Sequence, residues 1–361
     1  MIKKKLISTF GLAISLLIIS IPGYTKYISN GFTENIMMGR MPNARFEAMG
    51  KTAVASNGYL YAGLINPACI GNIDRVTINY SIDPKSFYLI SEDNWSSKYF
   101  GIGSNYDKFS FSFDIYKKNF GKSYFTDETG PEVIDTKNNV LNLYNFNIAY
   151  NLMQNLYIGT SLRIVNFDLF LLDKNTGYHL DFGVLKTIIL YNNSRIKDDL
   201  NLGISIANFT NNKIVPDIDE HAPLNLRFGL SNTTTMSDGI IDKCILNAEI
   251  GKILNSLHEE DDSRYQVGLE VTLLKILMIR GGYYYTEVYD YGHPESNKDH
   301  LSEFTYGYGI SLPLKNLFKS TFLPDKLIFD FTKLEQPNYS KNNYDFDDFY
   351  NYSITINWSA K

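Results

Sequence analysis

The 361-residue chain holds two cysteines and two tryptophans, and charged residues make up only 20% of it. Cys69 and Cys244 are too few for a disulfide scaffold and too far apart in sequence to suggest a metal site. The first falls in a segment without strand periodicity and the second on an outward strand face, so no bridge between them is expected. Lysine and arginine number 34 against 39 acidic residues, a formal charge of −5 with no basic run, which argues against a nucleic-acid partner. His179, His221, His258, His293 and His300 are scattered. No nucleophile motif, metal-spaced histidine pair or phosphate-cradling glycine loop is found, so no catalytic residue, enzyme activity, metal or cofactor is expected. The acidic stretches 259–262 and 345–348 lack the spaced ligands of a calcium loop and read as solvated surface. Past the first thirty residues no apolar run approaches the ~20 residues of a membrane helix. If the protein is integral to a membrane, only a closed barrel can satisfy its backbone polar groups.

The chain opens with a targeting segment. Lys3, Lys4 and Lys5 precede an apolar or small-residue run over 6–21, closed by Pro22 and Gly23, which is the order of a secretory signal peptide processed near residue 25. An uncleaved anchor helix is the alternative, and the run is short for one. No cysteine follows it, so a lipid anchor is not expected. Without the three lysines the formal charge moves from −5 to −8.

The strongest signal is strict period-two alternation. Tyr144, Phe146, Ile148 and Tyr150 oppose Asn145, Asn147 and Ala149; Phe304, Tyr306, Tyr308 and Ile310 oppose Thr305, Gly307, Gly309 and Ser311; Tyr352, Ile354, Ile356 and Trp358 oppose Ser353, Thr355 and Asn357. Soluble sandwiches also alternate, but their strands are usually ~5–6 residues and their buried faces aliphatic. Here the apolar faces are rich in the 27 tyrosines and 23 phenylalanines, and the opposite faces in Gly, Ser and Asn, as in a transmembrane barrel. Fourteen segments follow the pattern, roughly 74–82, 96–104, 107–117, 139–151, 154–166, 177–190, 198–208, 223–231, 241–252, 263–273, 276–287, 303–312, 325–333 and 349–358. Long polar connections at 118–138, 167–176, 209–222, 253–262, 288–302 and 334–348 alternate with short ones near 105, 154 and 275. That alternation places the long connections outside and the short ones, with both termini, in the periplasm. The predicted organisation is a signal peptide (1–25), an N-terminal hatch or plug (26–73) and an all-β, fourteen-stranded antiparallel transmembrane barrel (74–361) in a bacterial outer membrane.

Residues 31–73 break the alternation. The stretch 43–55 predicts a short helix and turn interrupted at Gly50, and Pro67 after Asn66 signals another turn. Forty residues of this kind must pack somewhere, and the open lumen of fourteen strands is the natural place. The succession ARFEAMGKTAVA, INPACIG and the strand from Arg75 to Tyr80 resembles the opening of long-chain fatty-acid-transporter-like (FadL-like) outer-membrane barrels. It departs from them at Lys51, where a second glycine is usual, and at Cys69. Two later stretches, 204–230 (ISIANF…VP…APLNLRFGL) and 279–283 (IRGGY), are similar to the PorV/PorQ-type subgroup. The resemblance implies a fourteen-stranded barrel with a lumenal hatch of short helices and turns. It also implies one of two functions: passive uptake of hydrophobic small molecules, or an accessory barrel of type IX secretion that binds secreted cargo proteins.

In the resembling segment, Arg45, Met49, Gly50, Asn66 and Pro67 are the candidate hatch residues. The strand alternation turns Asp114, Arg163, Asp181, Arg227, Glu249, Glu270, Arg280 and Asp330 inward, away from lipid, where a charge costs ~2–4 kcal/mol at the midplane. Arg163 with Asp181, and Glu270 with Arg280, lie on neighbouring strands and can pair. They either brace the wall and hatch or mark a polar path beside a hydrophobic pocket. The functional expectation is a passive channel for hydrophobic small molecules, with the cargo-binding barrel as the alternative and outer-membrane lipid as a partner under both.

Overall fold

A computed structural model describes residues 43–84, 96–126, 133–168, 174–209, 213–215, 220–254, 263–288, 299–318, 323–334 and 349–359. The expected signal peptide, the first part of the hatch (26–42) and both acidic stretches lie outside the described residues. No described helix is long and apolar enough to cross a membrane.

The strands are β1 (Val76–Asp83), β2 (Ser96–Tyr106), β3 (Phe109–Thr126), β4 (Val133–Met153), β5 (Leu156–Asp168), β6 (Asn175–Asn192) and β7 (Ile196–Ala207). A separate two-stranded ribbon follows, β8 (Lys213–Val215) with β9 (Glu220–His221). The series resumes with β10 (Asn225–Met236), β11 (Ile241–Ile253), β12 (Ser263–Leu273), β13 (Leu277–Val288), β14 (Asp299–Leu312), β15 (Lys326–Leu334) and β16 (Phe349–Trp358). Apart from the ribbon, fourteen strands form one closed antiparallel barrel, every strand pairing with its sequence neighbour and β7 with β10. Closure is by β1 on β16, with Val76 opposite Trp358 and Ile82 opposite Tyr352.

The side-chain alternation holds around the ring. Phe100, Ile102, Phe146, Ile148, Leu162, Leu246, Ile250 and Tyr308 point outward and are 40–57% exposed, an apolar belt suited to hydrocarbon rather than water. Cys244 shares an outward face and forms no disulfide. Three details differ from the sequence reading. First, β3 and β4 extend to Thr126 and back from Val133, so most of the expected connection 118–138 is a strand hairpin. A register shift between Asn119 and Lys122, with Gly121 at φ +77°, flips the pleat there and breaks the period of two that would have revealed the strands. Second, the connection 209–222 carries the β8–β9 ribbon, and the last short-turn connection carries helix α2 (Leu314–Phe318). Third, Tyr283, Tyr284 and Tyr285 lie near a strand end, where aromatic residues read as an outer girdle, yet Tyr284 faces the lumen, 5% exposed.

Residues 43–73 fill the lumen and are almost all buried. Helix α1 (Ala44–Ala48) is capped by Asn43, whose Oδ1 accepts the N–H groups of Arg45 and Phe46 at 3.1 and 3.4 Å. It ends before Gly50, at φ +62°. Lys51 follows at φ +64°, the left-handed region in which a residue with a Cβ is strained, at the position where the resembled family carries glycine. Its ammonium lies 3.9 Å from the centroid of the Tyr284 ring, a cation–π contact that offsets part of that strain. Two 3-10 turns, Leu60–Leu64 and Pro67–Asn72, complete the segment. Asn66 caps the second, accepting the Ala68 N–H at 3.1 Å, and Pro67 takes the first position, where no N–H is needed.

The small inward residues of the wall are the floor on which this segment rests. A Cβ on Gly183 would fall 1.8 Å from Asn66 Oδ1, one on Gly203 2.2 Å from the Val54 carbonyl oxygen, and one on Gly268 2.3 Å from that of Met49. At Gly203 and Gly268 backbone meets backbone, at Gly183 the Asn66 amide presses on it, and at none of the three does a side chain larger than hydrogen fit. Gly268→Val is therefore expected to leave the barrel folded, with its heat-modifiable gel migration intact, while unseating the segment so that buried Cys69 becomes open to alkylation. Cys69 as protected as in the parent would show that the seat is slack.

Candidate functional site: the filled lumen

Each inward charge found in the sequence has partners in the lumen. Arg163 on β5 and Asp181 on β6 are both fully buried and meet at 2.6 Å. Asp181 also accepts the Ser161 hydroxyl at 2.8 Å and the Asn208 backbone N–H at 2.7 Å. Arg163 donates to the Leu64 carbonyl of the N-terminal segment at 2.7 Å and to Asn208 Oδ1 at 3.2 Å. One ion pair thus ties the wall to the segment and to the connection leaving β7. On the opposite wall Arg280 joins Glu270 at 2.6 Å and Asp330 at 2.8 Å, and Arg45 of α1 adds its Nε to Glu270 at 2.8 Å. Arg227 meets Glu249 at 3.3 Å, and the other carboxylate oxygen of Glu249 accepts the N–H groups of Ala53 and Val54 at 2.8 and 3.0 Å. Asp114 has a different setting: it takes the Tyr99 hydroxyl at 2.6 Å and the Asn147 amide at 2.8 Å.

The other segment residues named from the sequence also lie at the wall. Thr305 of β14 accepts the Gly50 N–H at 2.9 Å and donates to the Ala48 carbonyl at 3.0 Å, fixing the turn beside Met49. The Asn66 amide donates to Val54 O at 2.7 Å and to Val184 O at 3.2 Å, and Pro67 sits against Gly159. Cys69 is fully buried with its thiol directed to the Val54 carbonyl at 3.2 Å. Burial, reinforced by the charge of Glu249, pushes that thiol well above its usual range, so it is unreactive while the segment is seated.

Several lumenal residues escaped the sequence reading. Lys118, 1% exposed, lies past the point where β3 was expected to end. Lys243 shares the face of Glu249 on β11, and the same alternation could have found it. Tyr99 and His179 also face inward and are fully buried, Tyr99 edge-on to the Tyr61 ring of the segment.

The layering along β3–β5 is equally informative. From the short-turn end to the long-connection end, β5 turns inward Gly159, Ser161, Arg163, Val165 and Phe167; β4 presents Asn147, Asn145, Leu143 and Leu141; β3 presents Ser112, Asp114, Tyr116, Lys118 and Phe120. Small polar residues seat the segment, charges follow, and beyond them lies a largely apolar layer into which Lys118 of β3, opposite Leu141, also turns. Leu141, Leu143, Val165 and Phe167 pack in one buried cluster with Tyr61 and Leu64 of the segment. Two cavities flank the segment. One of about 90 Å³ lies between Leu60 of the segment and Met278 and Ile328 of the wall, beside the Arg45–Glu270–Arg280–Asp330 network. The other, about 230 Å³ and polar, opens at the short-turn end.

No protein-family model and no curated protein matches the sequence. Solved structures share the fold. The monoaromatic hydrocarbon channel CymD superposes with a TM-score of 0.50 at 9% identity, over 88% of this chain and 98% of that one. The toluene transporter TbuX of Ralstonia pickettii gives 0.48 at 10% identity over 88% and 99%, and the toluene transporter TodX of Pseudomonas putida 0.45 at 12% identity over 87% and 96%. At such identities the likeness is one of architecture: a closed fourteen-stranded barrel.

Removing one partner of a buried ion pair leaves the other charged and desolvated, at a cost of ~3–5 kcal/mol. Arg163→Met is therefore expected to lower the stability of the folded barrel by about that amount, read as a shift in urea midpoint in detergent. Adding Asp181→Leu should recover part of the loss. Equal midpoints for the single and double variants would mean that the Leu64 and Asn208 contacts, not the orphaned carboxylate, set the cost.

Proposed function

We propose that the protein is an outer-membrane barrel for passive uptake of hydrophobic small molecules, with residues 43–73 as the hatch that closes its lumen. The observation that carries this reading is the apolar layer of Leu141, Leu143, Val165 and Phe167 on the long-connection side of the hatch, directly beyond the charged residues that hold it. A solute partitioning from outside meets apolar wall first, and burial of its surface there supplies binding at ~25 cal/mol per Å². The polar clamps lie beneath. They are hydrogen bonds and ion pairs, which can exchange for water, rather than covalent links, so the hatch can shift without breaking the strand ring. The long connections then face outward, and the short turns and both termini face the periplasm, the arrangement usual for such barrels. The basic and apolar stretch at 1–25 is consistent with export by a cleaved signal peptide. CymD is named for monoaromatic hydrocarbons, and a compact aromatic solute is the natural first probe.

The test is uptake of radiolabelled toluene by porin-depleted Gram-negative cells expressing the full chain. Expression should raise the initial rate. Leu143→Lys and Phe167→Lys, each adding a second ammonium to the layer that already holds Lys118, should lower it at least ~10-fold, because an uncompensated charge there costs more than the 1.4 kcal/mol that a factor of ten represents. Uptake no faster than in the empty host would sink the proposal. Undiminished uptake by both variants would move the path away from β4 and β5.

A further inference from the structure

The turns at the short-turn end of the barrel are of two kinds. Those of β2–β3, β4–β5 and β6–β7 have polar tips: Asp107 with Lys108, Gln154 with Asn155, and Asn193 to Arg195. Such residues suit a turn in water. Across the ring the tips are apolar. Ile240 ends the β10–β11 turn, Leu274 and Ile276 flank Lys275 between β12 and β13, and α2 adds Leu317 and Phe318; all five are 44–68% exposed. They form one surface. The Leu274 N–H meets the Ile240 carbonyl at 2.9 Å, the Ser311 N–H meets the Ile276 carbonyl at 2.8 Å, and α2 follows Ser311 closely.

Turn geometry does not call for these side chains. Leu274 and Lys275 stand at φ +51° and +59°, where glycine or asparagine avoids the strain that a larger side chain brings. The Asp242 carboxylate accepts the Lys275 backbone N–H and fixes the turn, so a leucine is held in an unfavourable conformation with its side chain outward. No polar band separates the turn from the strands above it: Leu277, Ile279 and Ile310 carry the outward apolar face down to Ile276. An apolar surface that continues the lipid-facing belt is matched by acyl chains. Lys275 at its tip makes no ion pair among the described residues, and its ammonium is matched by a lipid phosphate.

We propose that this sector of the rim is a docking surface for phospholipid: Ile240, Leu274, Ile276, Leu317 and Phe318 enter the acyl region of the periplasmic leaflet, and Lys275 sits at its phosphates. The proposal rests on the outer-membrane placement of the barrel and not on what the lumen admits. A leaflet held along β10–β15 sets how deep that side of the barrel sinks, while the polar turns of β2–β7 stay in water.

The test uses the full chain with Cys244→Ser, refolded into vesicles of phosphatidylcholine and phosphatidylglycerol, with a polarity-sensitive dye on one added cysteine. Cys69 is buried and stays unlabelled. Dye on Leu274→Cys or Phe318→Cys should emit as in an apolar medium. It should lose at least about half its intensity when the acyl chains are brominated near the headgroup. Dye on Leu246→Cys, on the belt, should also be quenched by brominated chains, and dye on Asn193→Cys should not. Water-like emission from both Leu274→Cys and Phe318→Cys, as a surface kept for a soluble partner would give, overturns the proposal. Quenching at Leu246→Cys in that case keeps the barrel in the membrane, and its loss there would overturn the membrane reading as well. Among lipids retained in native mass spectrometry, Lys275→Gln should lower the preference for phosphatidylglycerol over phosphatidylcholine about 5-fold, the ~1 kcal/mol of one lysine at an anionic surface. An unchanged preference would remove Lys275 from the surface. Toluene uptake is measured separately, so its failure leaves this proposal standing.

Discussion

The close seating of residues 43–73 on the inner wall is the contact from which the rest of the structure follows. Fourteen strands enclose a lumen too wide for side chains alone to fill. In this chain a segment of backbone fills it, and backbone can approach backbone only where the wall carries glycine, as at Gly159, Gly203 and Gly268. Once seated, the segment removes water from the inward charges, and every one of them must then find a partner inside the protein. The glycine floor and the charge pairs are two consequences of the same filling.

The buried pairs act as joints more than as a source of stability. Desolvating two charges consumes much of what their attraction returns, so a pair such as Arg163–Asp181 adds little net energy while it is whole and costs heavily when halved. What it contributes is direction. Arg163 reaches the segment at Leu64 and the β7 connection at Asn208, and Glu249 grips the two successive N–H groups of Ala53 and Val54. Such bonds fix the segment in one register against the wall and still allow it to leave, because water can replace them. A disulfide at Cys69 would not allow that, and Cys69 is a free thiol.

Polarity is graded along the lumen: apolar at the long-connection end of β3–β5, charged at the level of the segment, polar again at the short turns. Apolar surface is selective for solutes by burial, which is non-directional; polar surface is selective by hydrogen-bond geometry. The segment separates them, so a molecule suited to one end meets an unfavourable surface at the other unless the segment moves.

Much of the architecture was legible before any coordinate. Strand periodicity depends only on local chain geometry, so the alternation of Tyr144 to Tyr150 or Tyr352 to Trp358 reveals number, order and facing directly, and the same rule turned Asp114, Arg227 and Glu249 inward. Gly50 and the Asn66–Pro67 pair likewise act over one or two residues and could be read as a break and a turn. What sequence could not give were relations between residues far apart in the chain. That Gly268 lies under Met49, that Arg45 shares Glu270 with Arg280, and that Lys243 comes within 6.0 Å of the Tyr59 ring depend on how the segment is placed in the closed ring. The register shift past Asn119 hid the upper hairpin for a related reason, since a bulge is a property of two paired strands. Local sterics set by the sequence determined the strands and their faces; the tertiary structure alone decided which inward residues meet, because closing the barrel and filling it are long-range events.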